Sequence, residues 1–256
     1  MEVTLVWTRA DLKYKAKEVL KQTYWSALGV SLILAIANGD FKFENNLAIR
    51  YKESSFYWEN FGYEFLVNRD TIKFIIFIAI ITLLIRIVIL YSLEIGATRY
   101  FVQTAQYKTE FTSFSFPFKK GNTASIVKTM FVKDILIFLW SLLLIIPGII
   151  KGYAYRMVPY ILADNPNIGV NRALELSNKM TYGHKFEMFV LDLSFIGWYF
   201  LGLLACGIGI IFVYPYQYAT NTQLYLVLRQ NALDRYWCSY EELLLDRDES
   251  DNYYGW

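Results

Sequence analysis

Three runs of this sequence point to lipid rather than water as their surroundings. Ile72 to Leu93 carries only Lys73 and Arg86 as charges, Ile135 to Ile150 carries none, and Leu193 to Tyr218 carries none. A soluble chain buries amphipathic stripes, whereas about 18 or more nearly uncharged residues in succession read as a membrane helix. Charged residues make up 19% of the chain, below the roughly 25% usual for soluble domains. The expected fold class is all-α, a polytopic membrane helix bundle of six spans with an amphipathic N-terminal interfacial helix.

The six spans are expected at about Tyr24–Asn38, Ile72–Leu93, Phe131–Ile146, Ile149–Ala163, Phe186–Leu204 and Gly209–Leu228. A single helix over Phe131 to Ala163 would measure about 50 Å, against a hydrocarbon core of about 30 Å. Two short antiparallel spans fit better, with Pro147-Gly148 making the turn. Each is slightly short, so a partly re-entrant hairpin is the alternative, acceptable only where protein or water covers the irregular backbone.

Lysine and arginine set the orientation. With the N-terminus in the cytoplasm, the inside segments hold sixteen of them and the 39–71 segment holds four, Lys42, Arg50, Lys52 and Arg69. Both termini are therefore expected to be cytoplasmic. The first residues, MEVTLVWTRADLK, lack a basic stretch followed by an apolar one, so the first span is expected to serve as the insertion signal. The expected organisation is a cytoplasmic amphipathic helix over 1–23, a six-span membrane domain over 24–230 and an acidic cytoplasmic tail over 231–256.

Thr8 and Asp11 resemble a capping box. Behind them Leu12, Ala16, Val19 and Leu20 share a helical face, with Lys13, Lys17 and Lys21 off it. This pattern suits a helix lying on an anionic leaflet; a helix packed on the bundle is the plainer reading. A second amphipathic helix follows Asn165-Pro166-Asn167, with Ala173, Leu176 and Met180 on one face and Gly183 as its stop. The 39–71 loop carries nine aromatics, which suit an interfacial anchor or a small lid. Ser239 to Glu242 has the pattern of a short helix cap.

Four charges fall in the inner-leaflet half of the expected spans. Arg86, Arg156 and Asp192 each lie about 9–10 Å from the cytoplasmic end, and Asp134 about 4.5 Å. Intramembrane ions pair and face the bundle interior or a wet cavity. The expectation is a cluster of Arg86, Arg156, Asp192 and Asp134 lining a cavity open to the cytoplasm. It would be a proton, ion or substrate site, or else a structural clasp or snorkelling side chains. Gly202, Gly207 and Gly209 suit close helix packing. Pro215 is expected to kink the last span, as a plain bend or as a hinge alongside Pro147 and Gly148.

Little favours catalysis. The two cysteines, Cys206 and Cys238, and the single histidine, His184, cannot build the usual zinc sites. No P-loop, HExxH or Rossmann glycine pattern is present. Ser194 has no nucleophile elbow around it. Asp134 and Asp192 would be held ionised by nearby arginines rather than sharing a proton. No cofactor and no nucleic-acid partner is expected, since a net charge of +2 is too small for the latter.

Several blocks carry a family resemblance: "PGIIKGYAYRMVPYILADNP" (Pro147 to Pro166), "ALELSNKM" (Ala173 to Met180), "LSFIGW" (Leu193 to Trp198) and "YPYQYAT" (Tyr214 to Thr220). With the Thr8 to Trp25 segment and the apolar helix after it, their order resembles the bacterial integral-membrane family catalogued as domain of unknown function 975. The resemblance covers nearly the whole chain except the Gly39 to Thr71 loop. It implies a multi-span inner-membrane protein and supplies no catalytic residues. The expected function is support of transport, export or the envelope, in the bilayer and with a membrane-protein partner or a separate ATPase. The alternative is a scaffold or immunity-type protein that binds a partner in the membrane.

Overall fold

A computed structural model describes residues 7–37, 69–108, 111–119, 121–204 and 209–245. They form eight α-helices and two short 3-10 turns, with no strand among the described residues. The aromatic loop, apart from its last residues, and the tail beyond Leu245 lie outside them.

Helix α1 (Arg9–Ala37) begins where Thr8 caps it. The Asp11 N–H donates to Thr8 Oγ1 at 3.2 Å, and the Thr8 hydroxyl donates to Asp11 Oδ2 at 2.5 Å. Leu12, Ala16, Val19 and Leu20 are buried. The sequence reading separates a surface helix over 1–23 from a span beginning at Tyr24. The structure has one helix of 29 residues, about 44 Å long, because neither glycine nor proline interrupts Lys21 to Trp25. Two of its lysines also meet neighbouring helices. Lys13 Nζ donates to the Ser194 carbonyl at 3.2 Å and lies 4.4 Å from the Phe195 ring centroid. Lys17 Nζ lies 5.6 Å from the ring of Tyr216.

Helix α2 (Arg69–Ala105) has two characters. Phe74, Ile76, Phe77, Leu84 and Ile85 are exposed, whereas Ile95, Ala97, Tyr100, Phe101, Val102 and Ala105 are buried. The 3-10 turns Phe111–Phe114 and Phe116–Phe118 seat against Gly96, where a Cβ would come within 3.2 Å of Phe114 Cα.

Helices α3 (Asn122–Leu143) and α4 (Ile145–Ala154) form a tight hairpin. The reversal is a correction to the sequence reading. One extended residue, Leu144, turns the chain (φ −158, ψ 142), three residues before Pro147-Gly148. Pro147 sits in the first turn of α4, where no helical N–H is needed. Gly148 permits the hairpin to close, since a Cβ there would lie 2.7 Å from Ser141 Cα. The tip residues Leu142 to Ile146 are 64–76% exposed.

The expected fourth span is also broken. After Ala154 the helix stops, and α5 (Val158–Asp164) resumes it beyond Tyr155–Met157. Helix α6 (Val170–Met180) buries Ala173, Leu176 and Met180, and Gly183 (φ +84) lies in the turn that follows. Helices α7 (Lys185–Leu204) and α8 (Gly209–Asp234) meet at Gly202, where a Cβ would lie 2.7 Å from the Ile210 nitrogen. Gly207 lies outside the described residues.

Helix α8 continues unbroken through Pro215, and every residue from Ala219 to Arg229 is buried. It packs on α1, α2, α6 and α7 and so forms the axis of the bundle. Among the described residues, α1 and α7 are each long and apolar enough to cross a membrane.

Candidate functional site

The break between α4 and α5 follows from Pro159, the second residue of α5. Proline offers no N–H to the Tyr155 carbonyl, which accepts instead from Val158 N–H at 3.2 Å. The Arg156 N–H reaches the Tyr153 carbonyl at 3.4 Å. Helix α6 fills the gap with hydroxyls. Ser177 Oγ donates to the Ala154 carbonyl at 2.8 Å and accepts from Met157 N–H at 3.2 Å. Thr181 Oγ1 is also 3.3 Å from the Ala154 carbonyl. Backbone groups that a continuous helix would pair internally are thus met by side chains.

Arg156 stands at this break, and the structure brings it to Asp192 of α7. Nη1 donates to Oδ2 and Nη2 to Oδ1, both at 2.7 Å. This two-pronged geometry matches a guanidinium to a carboxylate. The Tyr153 hydroxyl donates to Oδ2 at 2.9 Å, and Arg156 Nη2 also reaches Asn221 Oδ1 of α8 at 3.0 Å. The paired side chains are only 18% and 29% exposed. One ion pair therefore ties the broken segment to both α7 and α8.

Asp134 does not join it, which corrects the four-charge cluster. The Tyr91 hydroxyl of α2 donates to Asp134 Oδ2 at 2.6 Å, and Lys133 Nζ lies 3.3 Å from Oδ1. Glu94, one turn beyond Tyr91, is within electrostatic reach of Lys133, Asp134 and Tyr160. Depth along a helix does not specify its face, and α3 presents Asp134 to α2 rather than to α7. Arg86 belongs to α2, but its side chain lies outside the described residues.

A second buried pair escaped the sequence reading. Arg229 Nη1 donates to Asp164 Oδ2 at 3.0 Å, with side chains 10% and 7% exposed. The Tyr225 hydroxyl donates to the same oxygen at 2.5 Å, and Tyr160 stacks on Tyr225 at 5.1 Å. Arg99 donates to the Ala163 carbonyl and lies 3.7 Å over the Phe116 ring. The signal was present: Asp164 closes α5, and Arg229 follows Tyr225 by one helical turn on α8. The sequence reading ended the last span at Leu228 and so left Arg229 just outside it.

The first part of the expected acidic tail is docked. Arg172 of α6 donates to both Glu242 oxygens, at 2.5 and 3.0 Å, and to the Trp237 carbonyl at 2.6 Å. Asn165 Nδ2 donates to the Glu242 carbonyl at 2.9 Å. The Glu242 N–H donates to Ser239 Oγ at 3.1 Å, as in the expected cap, but the residues that follow form a turn and not the expected short helix. The Arg172 hydrogen bonds hold the Glu242 carboxyl below the usual carboxylate range. Burial pushes the Cys238 thiol up to about 12.

His184 and Ser194 are each committed elsewhere. His184 Nδ1 lies 3.0 Å from Glu187 Oε2, and the Ser194 hydroxyl donates to the Leu191 carbonyl at 2.5 Å. Near Pro215, Gln217 Oε1 accepts from the Tyr199 hydroxyl. Among the described residues no three His, Cys, Asp or Glu side chains are grouped to hold a metal ion.

Chemically, the Arg156–Asp192 pair is a closed cation–anion couple in low-dielectric surroundings. With the Asn221 contact it joins the break between α4 and α5 to α7 and α8. No curated protein and no solved structure matches the chain. The model of the family described as "Protein of unknown function (DUF975)" matches residues 41–232, and the chain belongs to that family.

Proposed function

We propose that the chain is a multi-pass protein of the bacterial cytoplasmic membrane with both termini in the cytoplasm, in which α3 and α4 form a re-entrant hairpin from the cytoplasmic side, because the ten residues of α4 reach only about 15 Å of a core about 30 Å thick. In this reading it supports transport, export or envelope function through a polar interior facing the cytoplasm. The exposed surface supports a lipid environment. The α3–α4 tip, the outer half of α2 and the flank of α7, including Phe200, Leu201 and Leu204, are apolar and exposed, far beyond what a water-soluble monomer presents. The excess of Lys and Arg in the inside segments supports the orientation.

The observation that carries the functional reading is the Arg156–Asp192 pair at the break in the α4–α5 helix. Ionisable residues at membrane depth mark solute or proton paths, and interrupted helices accompany substrate sites in transporters. ATP-driven export would require a separate ATPase, and the reading assigns no enzyme activity or cofactor to this chain.

The second reading is a scaffold that binds a membrane partner. It is favoured by the saturation of Asp192, whose two oxygens already accept three hydrogen bonds. Vesicles reconstituted with the protein separate the two. Transport predicts proton, sodium or metabolite flux above that of empty vesicles, lost in Arg156→Gln and Asp192→Asn. A scaffold predicts no flux, and a cellular function that survives neutralising the pair but is lost when the 39–71 loop or the tail is removed. Cysteine labelling from outside the cell, expected at residue 55 and absent at residue 110, tests the orientation.

A further inference from the structure

Two like charges without a counter-ion among the described residues stand where α4 meets α7. Lys151 lies in the last turn of α4 and Lys185 opens α7, within electrostatic reach of each other. The ring contact between Tyr153 and Phe189, centroids 6.4 Å apart, joins the two helices. Neither ammonium meets a carboxylate among the described residues. Lys151 lies over the rings of Trp140 and Tyr155, at 5.2 and 5.5 Å. Lys185 reaches the Asn178 amide oxygen at 3.4 Å. Glu187, two residues on, is engaged by His184.

The flanks of this basic pair are apolar. Ile149 and Ile150 of α4 are 52% and 47% exposed, and Phe186 and Phe189 of α7 are 73% and 42% exposed. Two partly buried cations repel, and an anion between them turns that repulsion into attraction. The apolar flanks select an amphiphile over a water-soluble ion, because they offer nothing to a free phosphate and a hydrophobic seat to acyl chains. We infer that the α4–α7 corner binds an anionic phospholipid, with its phosphate between Lys151 and Lys185 and its chains along Ile149, Ile150, Phe186 and Phe189. The inference rests on the membrane reading above.

Native mass spectrometry of the detergent-purified protein, titrated with phosphatidylglycerol or phosphatidylcholine, tests it. Phosphatidylglycerol should be preferred, and Lys151→Gln or Lys185→Gln should each weaken its binding about five-fold. Replacing both lysines by arginine should preserve the preference. Lys179→Gln should leave it intact, because Lys179 is paired with Glu175 at 2.7 Å on the far side of α6 from the bundle core. Undiminished binding by the double glutamine variant overturns the proposal. So does complete displacement of the lipid by inorganic phosphate, which would mean a soluble-anion site.

Photo-crosslinking on the wild type covers the case in which the variants misfold. An anionic lipid probe should label 149–155 and 182–189 while a zwitterionic probe does not, and labelling confined to other segments overturns the site. A protein that stays soluble without detergent would sink the membrane reading itself. One that sediments with membranes but shows no lipid preference would sink only the corner site.

Discussion

The hydroxyl of Ser177 meets the carbonyl of Ala154 at 2.8 Å, across the break between α4 and α5. Helix α6 therefore supplies hydrogen bonds that the break leaves unmade in the helix carrying Arg156. The site depends on a residue eighteen positions beyond that proline, on a different element.

Ser177→Ala should leave the Met157 N–H without its acceptor and the Ala154 carbonyl with only the longer contact to Thr181. Stranding buried polar groups costs roughly 1–3 kcal/mol. Denaturant unfolding in detergent should show that loss, with a smaller one for Thr181→Ala. Equal stability of Ser177→Ala and wild type would mean that the break is held by other means.

The Arg156–Asp192 pair should behave as a coupled unit. Removing one partner leaves the other as a buried unpaired charge, at a cost of about 3–5 kcal/mol. Arg156→Met with Asp192→Leu should therefore be markedly more stable than the sum of the single losses predicts. Additive losses in a double-mutant cycle would dissolve the pair as an energetic unit.

Gly148→Ala should open the α3–α4 hairpin. The added Cβ would lie 2.7 Å from Ser141 Cα and 2.8 Å from Ser141 Cβ. Overpacking of this kind costs roughly 1–3 kcal/mol. Ser141→Gly in the same chain should recover only part of it, because the backbone contact stays. Crosslinking between residues 140 and 151 reads hairpin closure directly.

Docking of the 237–245 segment should weaken in acid. Arg172 lowers the Glu242 pKa in the docked state, so the undocked tail takes up a proton more readily. The stabilisation is complete at neutral pH, above the unperturbed value of about 4.3, and is lost as pH falls through the depressed docked value. Hydrogen exchange over 237–245 should accelerate relative to α8 as the pH falls below the ordinary carboxylate range. Glu242→Gln should already be loosened at neutral pH.

Cys238 reports the same docking. Burial raises its thiol to about 12 and keeps the reactive thiolate scarce near neutrality. Alkylation should be slow in the wild type and several-fold faster in Glu242→Gln. Identical rates would separate Cys238 from the Arg172–Glu242 contact.

The sequence exposed those features that depend on position along one helix. Uncharged runs marked the apolar segments, and the cap at Thr8 and the buried faces of α1 and α6 followed from periodicity. Arg156 and Asp192 fell within one expected cluster because both were counted from the expected cytoplasmic ends of their helices. Asp134 was misplaced because depth is one coordinate and facing is another, set here by Tyr91 on a separate helix. Pro147 is more conspicuous than Pro159, yet the first sits harmlessly in an opening turn while the second removes a bond from the helix before it. The dependence on Ser177 was hidden because a serine in a helix shows no distant partner in the sequence.

The burial of α8 on its flanks has a consequence for biogenesis. It is the last of the described helices to leave the ribosome, yet it provides Asn221 for Arg156 and Arg229 for Asp164. Domains ordinarily assemble from the N-terminal end during synthesis. Here Asp164 must wait for its arginine, and Arg156 for its contact beyond Asp192, until α8 threads between the earlier helices, so a chain cut before residue 221 would have those helices but not its centre.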